Sequence, residues 1–176
     1  MEINSDGSFT CAICDFGFAS VIGRDNAPPV VSGLAIPTTV GLTIKYTAPE
    51  IFDQVKDGVS SRLNKEEDKK VDVYAYAVTM YEVVFRKEPY QGESDFAQIM
   101  FKVKAGIRPP IVPDIENSFK AFPQLLGSIK NGWASSPDAR PSFDEIRKGL
   151  KQELEPFIGR SDDTITLNIE RFKERD

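Results

Sequence analysis

The sequence predicts a mainly α domain: a helical bundle introduced by a short N-terminal β-hairpin. Three observations lead there. Val73 to Phe85 is apolar on almost every side, and a helix of that kind belongs in the middle of a domain. Ser142-Phe143-Asp144-Glu145 has the spacing of a capping box that opens a helix. Ser5-Asp6-Gly7-Ser8 sits between two short extended stretches, Met1 to Asn4 and Thr10 to Ile13, where glycine accepts the positive φ of a hairpin turn. At 176 residues the chain is sized for one domain, which buries roughly 70% of its unfolded surface.

The remaining elements follow in chain order. Residues 18 to 45 are poor in helix pattern and rich in Gly, Pro, Ser and Thr, as in Asn26-Ala27-Pro28-Pro29 and Ile36-Pro37-Thr38-Thr39. This predicts a long irregular loop, and loops of that length are seldom neutral connectors. Ala48-Pro49-Glu50-Ile51-Phe52 suits a short helix with proline in its first turn and an acid near the positive end of the dipole. Asp53 to Lys70 is polar, and its cluster Lys65-Glu66-Glu67-Asp68-Lys69-Lys70 reads as a solvated surface loop or helix face. Lys87-Glu88-Pro89-Tyr90-Gln91-Gly92 ends the buried helix.

Phe96, Ile99, Met100 and Val103 recur at helical spacing within Asp95 to Ala105, closed by Gly106 and Arg108-Pro109-Pro110. Phe119 to Trp133 gives another helix, interrupted or begun around Pro123. The last clear helix opens at the capping box, and Pro156 stops it. Phe157 to Asp176 is weakly patterned and is set apart as a tail.

Composition narrows the function classes. Forty per cent apolar and 28% charged residues are ordinary for a soluble globular protein. A net charge of −5 argues against nucleic acid or an anionic membrane surface as the main partner. No run of about 18 apolar residues exists, so no membrane span is expected. Met1 to Gly7 has neither a basic leader nor an apolar core, so it does not read as a secretory signal. The two cysteines indicate no disulfide framework, and a reducing, cytoplasmic setting is the simplest reading.

Cys11-Ala12-Ile13-Cys14 has redox or zinc spacing. On an extended strand, however, residues i and i+3 face opposite ways. The chain contains no histidine to complete a zinc set or a histidine-activated nucleophile. The pair is read as two strand cysteines.

An ordered set of fragments carries the chemistry. Asp15-Phe16-Gly17 follows the hairpin, and Tyr46-Thr47-Ala48-Pro49-Glu50 follows the irregular loop. Asp72-Val73-Tyr74-Ala75-Tyr76-Ala77 begins the buried helix. Trp133 to Phe143 reads Trp-Ala-Ser-Ser-Pro-Asp-Ala-Arg-Pro-Ser-Phe. Each fragment alone is weak, but in this order they resemble the protein kinase family over nearly the whole chain. The last block looks most like its tyrosine-kinase-like branch of serine/threonine kinases.

The resemblance implies the large C-terminal lobe of a kinase, from Asp-Phe-Gly onward. Residues 1–156 would be a partial kinase domain, with the activation segment at 15–50 and the helical lobe at 51–156, followed by the tail at 157–176. Asp15 looks like the metal-binding aspartate, a hard carboxylate that holds Mg²⁺ against the β- and γ-phosphates of ATP. Phe16 would set the active or inactive loop by its packing, and Gly17 completes this cofactor-side motif. Without the other fragments, Asp15 would read as a surface aspartate in a turn and Phe16 as a core aromatic.

Glu50 and Arg140 match the family's buried ion pair. Asp72 resembles the aspartate that hydrogen-bonds the catalytic-loop backbone. That loop has no match in this sequence, so Asp72 is expected to be partnerless or solvated. Thr43 aligns with the threonine that serine/threonine kinases keep before Ala-Pro-Glu. With Tyr46 it marks the substrate loop and implies protein serine or threonine as substrate. Leu42 stands where the family has glycine, with Gly41 one place early, and the stretch from Glu50 to Asp72 looks longer than usual.

Ser20, Ser32, Thr38, Thr39 and Thr43 place hydroxyls in the activation segment, where phosphorylation orders the chain by creating arginine pairs. Ser32, Thr38 and Thr39 are the candidate phosphosites. The arginine that receives such a phosphate belongs, by the resemblance, to the unmatched loop.

Fourteen residues precede Asp15. They are too few for a glycine-rich loop, a strand lysine, a helix glutamate and a His-Arg-Asp loop. ATP and Mg²⁺ are therefore expected in a complete domain with an N-lobe, and only weakly, or not at all, on this chain alone. Two alternatives stand beside an incomplete kinase. One is a non-catalytic, pseudokinase-like module that docks a protein partner; the other is a degenerate fragment without function.

Overall fold

The computed structural model describes residues 2–3, 9–10, 44–52 and 65–157. Near the start, β1 (Glu2–Ile3) pairs antiparallel with β2 (Phe9–Thr10), Glu2 opposite Thr10 and Ile3 opposite Phe9. The second strand begins one residue earlier than the sequence pattern suggested. The Asp6-Gly7 turn itself lies outside the described residues.

A 21-residue helix, α1 (Lys65–Phe85), forms the axis of the helical part. It begins eight residues before the apolar run because Lys65 to Lys70, Asp68 apart, is made of good helix formers. The charge cluster is thus the first turns of the core helix. Val73, Tyr74, Ala77, Val78, Tyr81, Val84 and Phe85 are buried along it. The helix is not buried all round, however. Asp72, Thr79 and Val83 are exposed, Val83 by 54%, and their spacing puts them on one solvent-facing line.

Short elements surround this axis. They are a 3₁₀ turn at Ile44–Tyr46, a helical stretch at 49–52, α2 (Phe96–Lys104), α3 (Pro113–Ser118) and α4 (Pro123–Gly132). A 3₁₀ turn at Pro137–Ala139 and α5 (Phe143–Leu154) follow. Ile44, Ala48 and Phe52, with Ile99 and Val103 of α2 and Leu126 and Ile129 of α4, join the α1 side chains and Trp133 in one apolar cluster. The Tyr81 ring stacks on Phe85 at 4.9 Å and lies 5.6 Å from Trp133.

Gly132 lets α4 close on α1. A Cβ there would stand 2.7 Å from Ala77 Cβ and 3.5 Å from the Val73 carbonyl oxygen, so only glycine fits.

Helix ends are set as their residues demand. Asp95 caps α2, accepting from the Gln98 amide at 2.8 Å. Gly106, at φ +77°, closes it with two crossed bonds, Ile107 N to Lys102 O and Gly106 N to Val103 O. α3, which the sequence left unassigned, starts on Pro113 with Asp114 and Glu116 in its first turn. α4 begins at Pro123, and the Glu153 carboxylate accepts from its first free amides, Gln124 N at 2.6 Å and Leu125 N at 3.0 Å.

The predicted capping box is present. The Ser142 amide donates to Glu145 at 2.7 Å, and the Glu145 amide donates back to Ser142 Oγ at 3.2 Å. The Ser142 amide, helped by its hydroxyl, holds the Glu145 carboxyl below the usual carboxylate range. α5 ends at Leu154, and Pro156 falls within a final 3₁₀ turn, Glu155–Phe157.

Candidate functional site

Residues 44–52, a 3₁₀ turn leading into a helical stretch, are held at both ends. Ile44 and Ala48 are buried in the apolar cluster, and Phe52 meets Phe96 edge-on at 6.0 Å. The Thr47 amide donates to the Ile44 carbonyl at 3.1 Å, tightening the turn between them.

Lys45 is only 6% exposed, and its Nζ bonds Glu88 at 2.7 Å. A lysine taken out of water needs such a partner. Tyr46 Oη donates to the Glu82 carboxylate of α1. Burial pushes the Tyr46 phenol above its ordinary value, and the Glu82 bond and charge add to that, with Glu88 behind. Two consecutive side chains are thereby moored to two acids, Glu82 in the last turn of α1 and Glu88 just beyond it.

The second anchor is Glu50. Its carboxylate takes Nη1 and Nη2 of Arg140, each at 2.7 Å, and the Arg140 side chain is wholly buried. Fork-to-fork pairing of this kind fixes both direction and distance. Arg140 also donates to the carbonyls of Ala134 at 2.9 Å and Lys70 at 2.8 Å. Lys70 Nζ returns a bond to the Arg140 carbonyl. One guanidinium therefore ties the 49–52 stretch to α1 and to the segment after α4.

Tyr74 lies at the centre of this junction. The guanidinium carbons of Arg140 and Arg108 lie over its ring at 5.1 and 5.3 Å, a cation–π arrangement in a dry setting. Burial pushes its phenol above the ordinary value, with the Tyr90 hydroxyl as its polar neighbour, and among the described residues its buried Oη makes no hydrogen bond of good geometry. Arg108 bonds the carbonyls of Trp133 at 2.7 Å, Val103 at 2.9 Å and Ile107 at 3.2 Å, and Ser135 Oγ at 3.0 Å.

The residues singled out from the sequence divide sharply. Glu50, Arg140 and Tyr46 are brought to one continuous junction on α1. Asp72 is exposed on the same helix, as the solvated alternative expects, and is engaged in an interaction, so the partnerless alternative does not hold. Asp15, Phe16, Gly17, Ser20, Ser32, Thr38, Thr39 and Thr43 lie outside the described residues, as do Cys11 and Cys14.

Among the described residues no cluster of His, Cys, Asp and Glu could hold a metal ion, and no helix is long and apolar enough to cross a membrane. Sequence reasoning missed Lys45, Glu82, Glu88 and Arg108. The acids stand 36 and 43 residues from their partners, and no local pattern spans such a gap. Chemically, the arrangement fixes residues 45–50 through two ion pairs and a phenol–carboxylate bond.

Comparison with known proteins supplies a frame for this geometry. The profile of the protein kinase domain matches residues 3–150. Receptor-interacting serine/threonine-protein kinase 4 of Mus musculus is 32% identical over 80% of this chain and 16% of its own length. Receptor-interacting serine/threonine-protein kinase 1 of Homo sapiens is 26% identical over 96% of the chain and 24% of its own length. Receptor-interacting serine/threonine-protein kinase 2 of Bos taurus is 34% identical over 66% of the chain and 21% of its own length. The chain thus spans a quarter or less of each of these relatives.

Proposed function

This chain belongs to the protein kinase domain family, and on that premise we propose that it is the substrate-side lobe of a serine/threonine kinase. In that role it works within a complete domain that transfers the γ-phosphoryl group of ATP to a protein hydroxyl. Its helical bundle is that of a kinase C-terminal lobe. The observation that carries the reading is the mooring of residues 44–50. Lys45 and Tyr46 are tied to Glu88 and Glu82, and Glu50 is locked to Arg140. A peptide substrate needs a fixed edge beside the transferring phosphate, because phosphoryl transfer depends almost wholly on positioning and electrostatics.

Within the complete domain, Asp15 is assigned to Mg²⁺, with Phe16 and Gly17 beside it on the nucleotide side. Thr43 and Tyr46 are assigned to the substrate loop, and Ser32, Thr38 and Thr39 to regulatory phosphorylation. The sequence contains no histidine and so no His-Arg-Asp triplet. By the family resemblance, the base aspartate, the phosphate-binding lysine and the loop over ATP have no match among these residues and are assigned to the rest of the complete domain. Loss of a single transition-state donor already costs about 3–4 kcal/mol. Several losses together leave the 176-residue chain without measurable transfer.

A radiolabel assay with purified chain, Mg²⁺, ATP and a serine-rich protein tests this. No incorporation above the enzyme-free control is expected. Clear Mg-dependent incorporation that Asp15→Ala abolishes would overturn the proposal.

A further inference from the structure

We propose that Ser135 is a phosphorylation site whose phosphate is read by Arg108. Arg108 is half-buried, yet among the described residues every acceptor it bonds is neutral: the carbonyls of Val103, Ile107 and Trp133 and the hydroxyl of Ser135. Arg140, its neighbour across Tyr74, has the Glu50 carboxylate. A guanidinium drawn partly out of water without a counter-charge is an unmet electrostatic demand. A phosphate is the anion its planar fork suits best.

The donor count leaves room for that anion. Nε gives its one N–H to Trp133, Nη1 gives both to Val103 and Ile107, and Nη2 gives one of two to Ser135 Oγ. The Tyr90 hydroxyl, also beside the guanidinium, is neutral, and Nη2 already lies 3.0 Å from the hydroxyl that would carry the phosphate.

The serine is placed to be modified. Ser135 is exposed and lies in the irregular stretch between α4 and the 3₁₀ turn at Pro137–Ala139. Its carbonyl accepts from Arg140 Nη2 at 3.4 Å, so the backbone is held beside an exposed side chain. In the modification, Ser135 Oγ attacks the γ-phosphorus of ATP bound to a separate protein kinase. The new O–P bond forms as the P–O bond to ADP breaks, and the hydroxyl proton passes to that kinase's base. The product carries a charge of about −1.5 to −2 and three strong acceptor oxygens. It converts a neutral hydrogen bond into a charge-assisted one. The junction after α4 is thereby tied to the turn that ends α2.

Ser136 is the internal control. It is exposed and precedes Pro137, but its side chain makes no capping bond, and no described cation contacts it.

The test encodes phosphoserine at position 135 of the full 176-residue chain and follows the phosphate by ³¹P NMR titration. A solvated phosphoserine gives up its second proton at about pH 6. With Arg108 present, that ionisation should move down by about half a unit or more. Arg108→Gln should return it to the solvated value, Arg108→Lys should keep part of the shift, and phosphoserine at 136 should show none. Equal values at 135 with and without the guanidinium overturn the reading by Arg108. If Arg108→Gln does not fold, the comparison of positions 135 and 136 and the Arg108→Lys chain decide in its place. Peptide mass spectrometry of the chain from its own cells should find phosphate on Ser135. Phosphate on Ser136 alone, or on neither, overturns the modification.

Discussion

Arg140 gathers more of this molecule than any other described side chain. Its guanidinium is wholly buried, satisfied by one carboxylate and by carbonyls from two other segments. Removing the carboxylate strands a charge where water cannot reach it. Glu50→Ala is therefore expected to destabilise the fold by about 3–5 kcal/mol, with Glu50→Gln costing less because its amide oxygen still accepts. Urea unfolding read by the fluorescence of Trp133, the sole tryptophan and a buried one, measures this; an unchanged midpoint for Glu50→Ala refutes it. This pair was legible in the sequence because each partner sits inside a recognisable fragment. The Lys45–Glu88 and Tyr46–Glu82 contacts were not. The first places Glu88 in a turn where Arg86 and Tyr90 adopt φ of 52° and 50°, left-handed conformations that neither residue type advertises, and the second joins residues 36 apart.

Among the elements, the closest approach is that of α4 to α1 at Gly132. Any side chain there collides with Ala77, and both helices are fixed by the rest of the core. Gly132→Val should cost about 1–3 kcal/mol through overpacking and forced helix shift, visible as a lowered melting temperature. A matching Ala77→Gly change should recover part of it, and full stability of Gly132→Val alone would show that the helices slide freely. Helix ends were the most readable elements, since Asp95, Gly106 and the Ser142–Glu145 box are stereochemical necessities written locally. α3 was not readable: six residues give too little length for an apolar period, and only Pro113 and its acids mark it. The charged run before Val71 carried two meanings, loop or helix face. Its helical propensity decided once α1 supplied a packed continuation.

At the scale of the whole molecule, all five tyrosines, Tyr46, Tyr74, Tyr76, Tyr81 and Tyr90, have phenols raised above their ordinary value, with burial the leading cause in each. A group whose folded value exceeds its unfolded one holds the proton more tightly when folded. Its contribution is complete below the unfolded value of about 10 and is lost as pH rises above it. Stability should thus fall steeply above about pH 10. Phenolate absorbance should emerge in one step with the loss of Trp133 burial, whereas five phenols ionising near that pH in an intact fold would contradict this. The Glu153 carboxylate has a consequence of another kind. It seals the opening turn of α4 from a point far down the chain, so any shortened version cut between Ile146 and Glu153 keeps every core side chain yet leaves two amide protons bare. Expression boundaries for this lobe follow that acid, and a trimmed chain ending before it would fray from the inside.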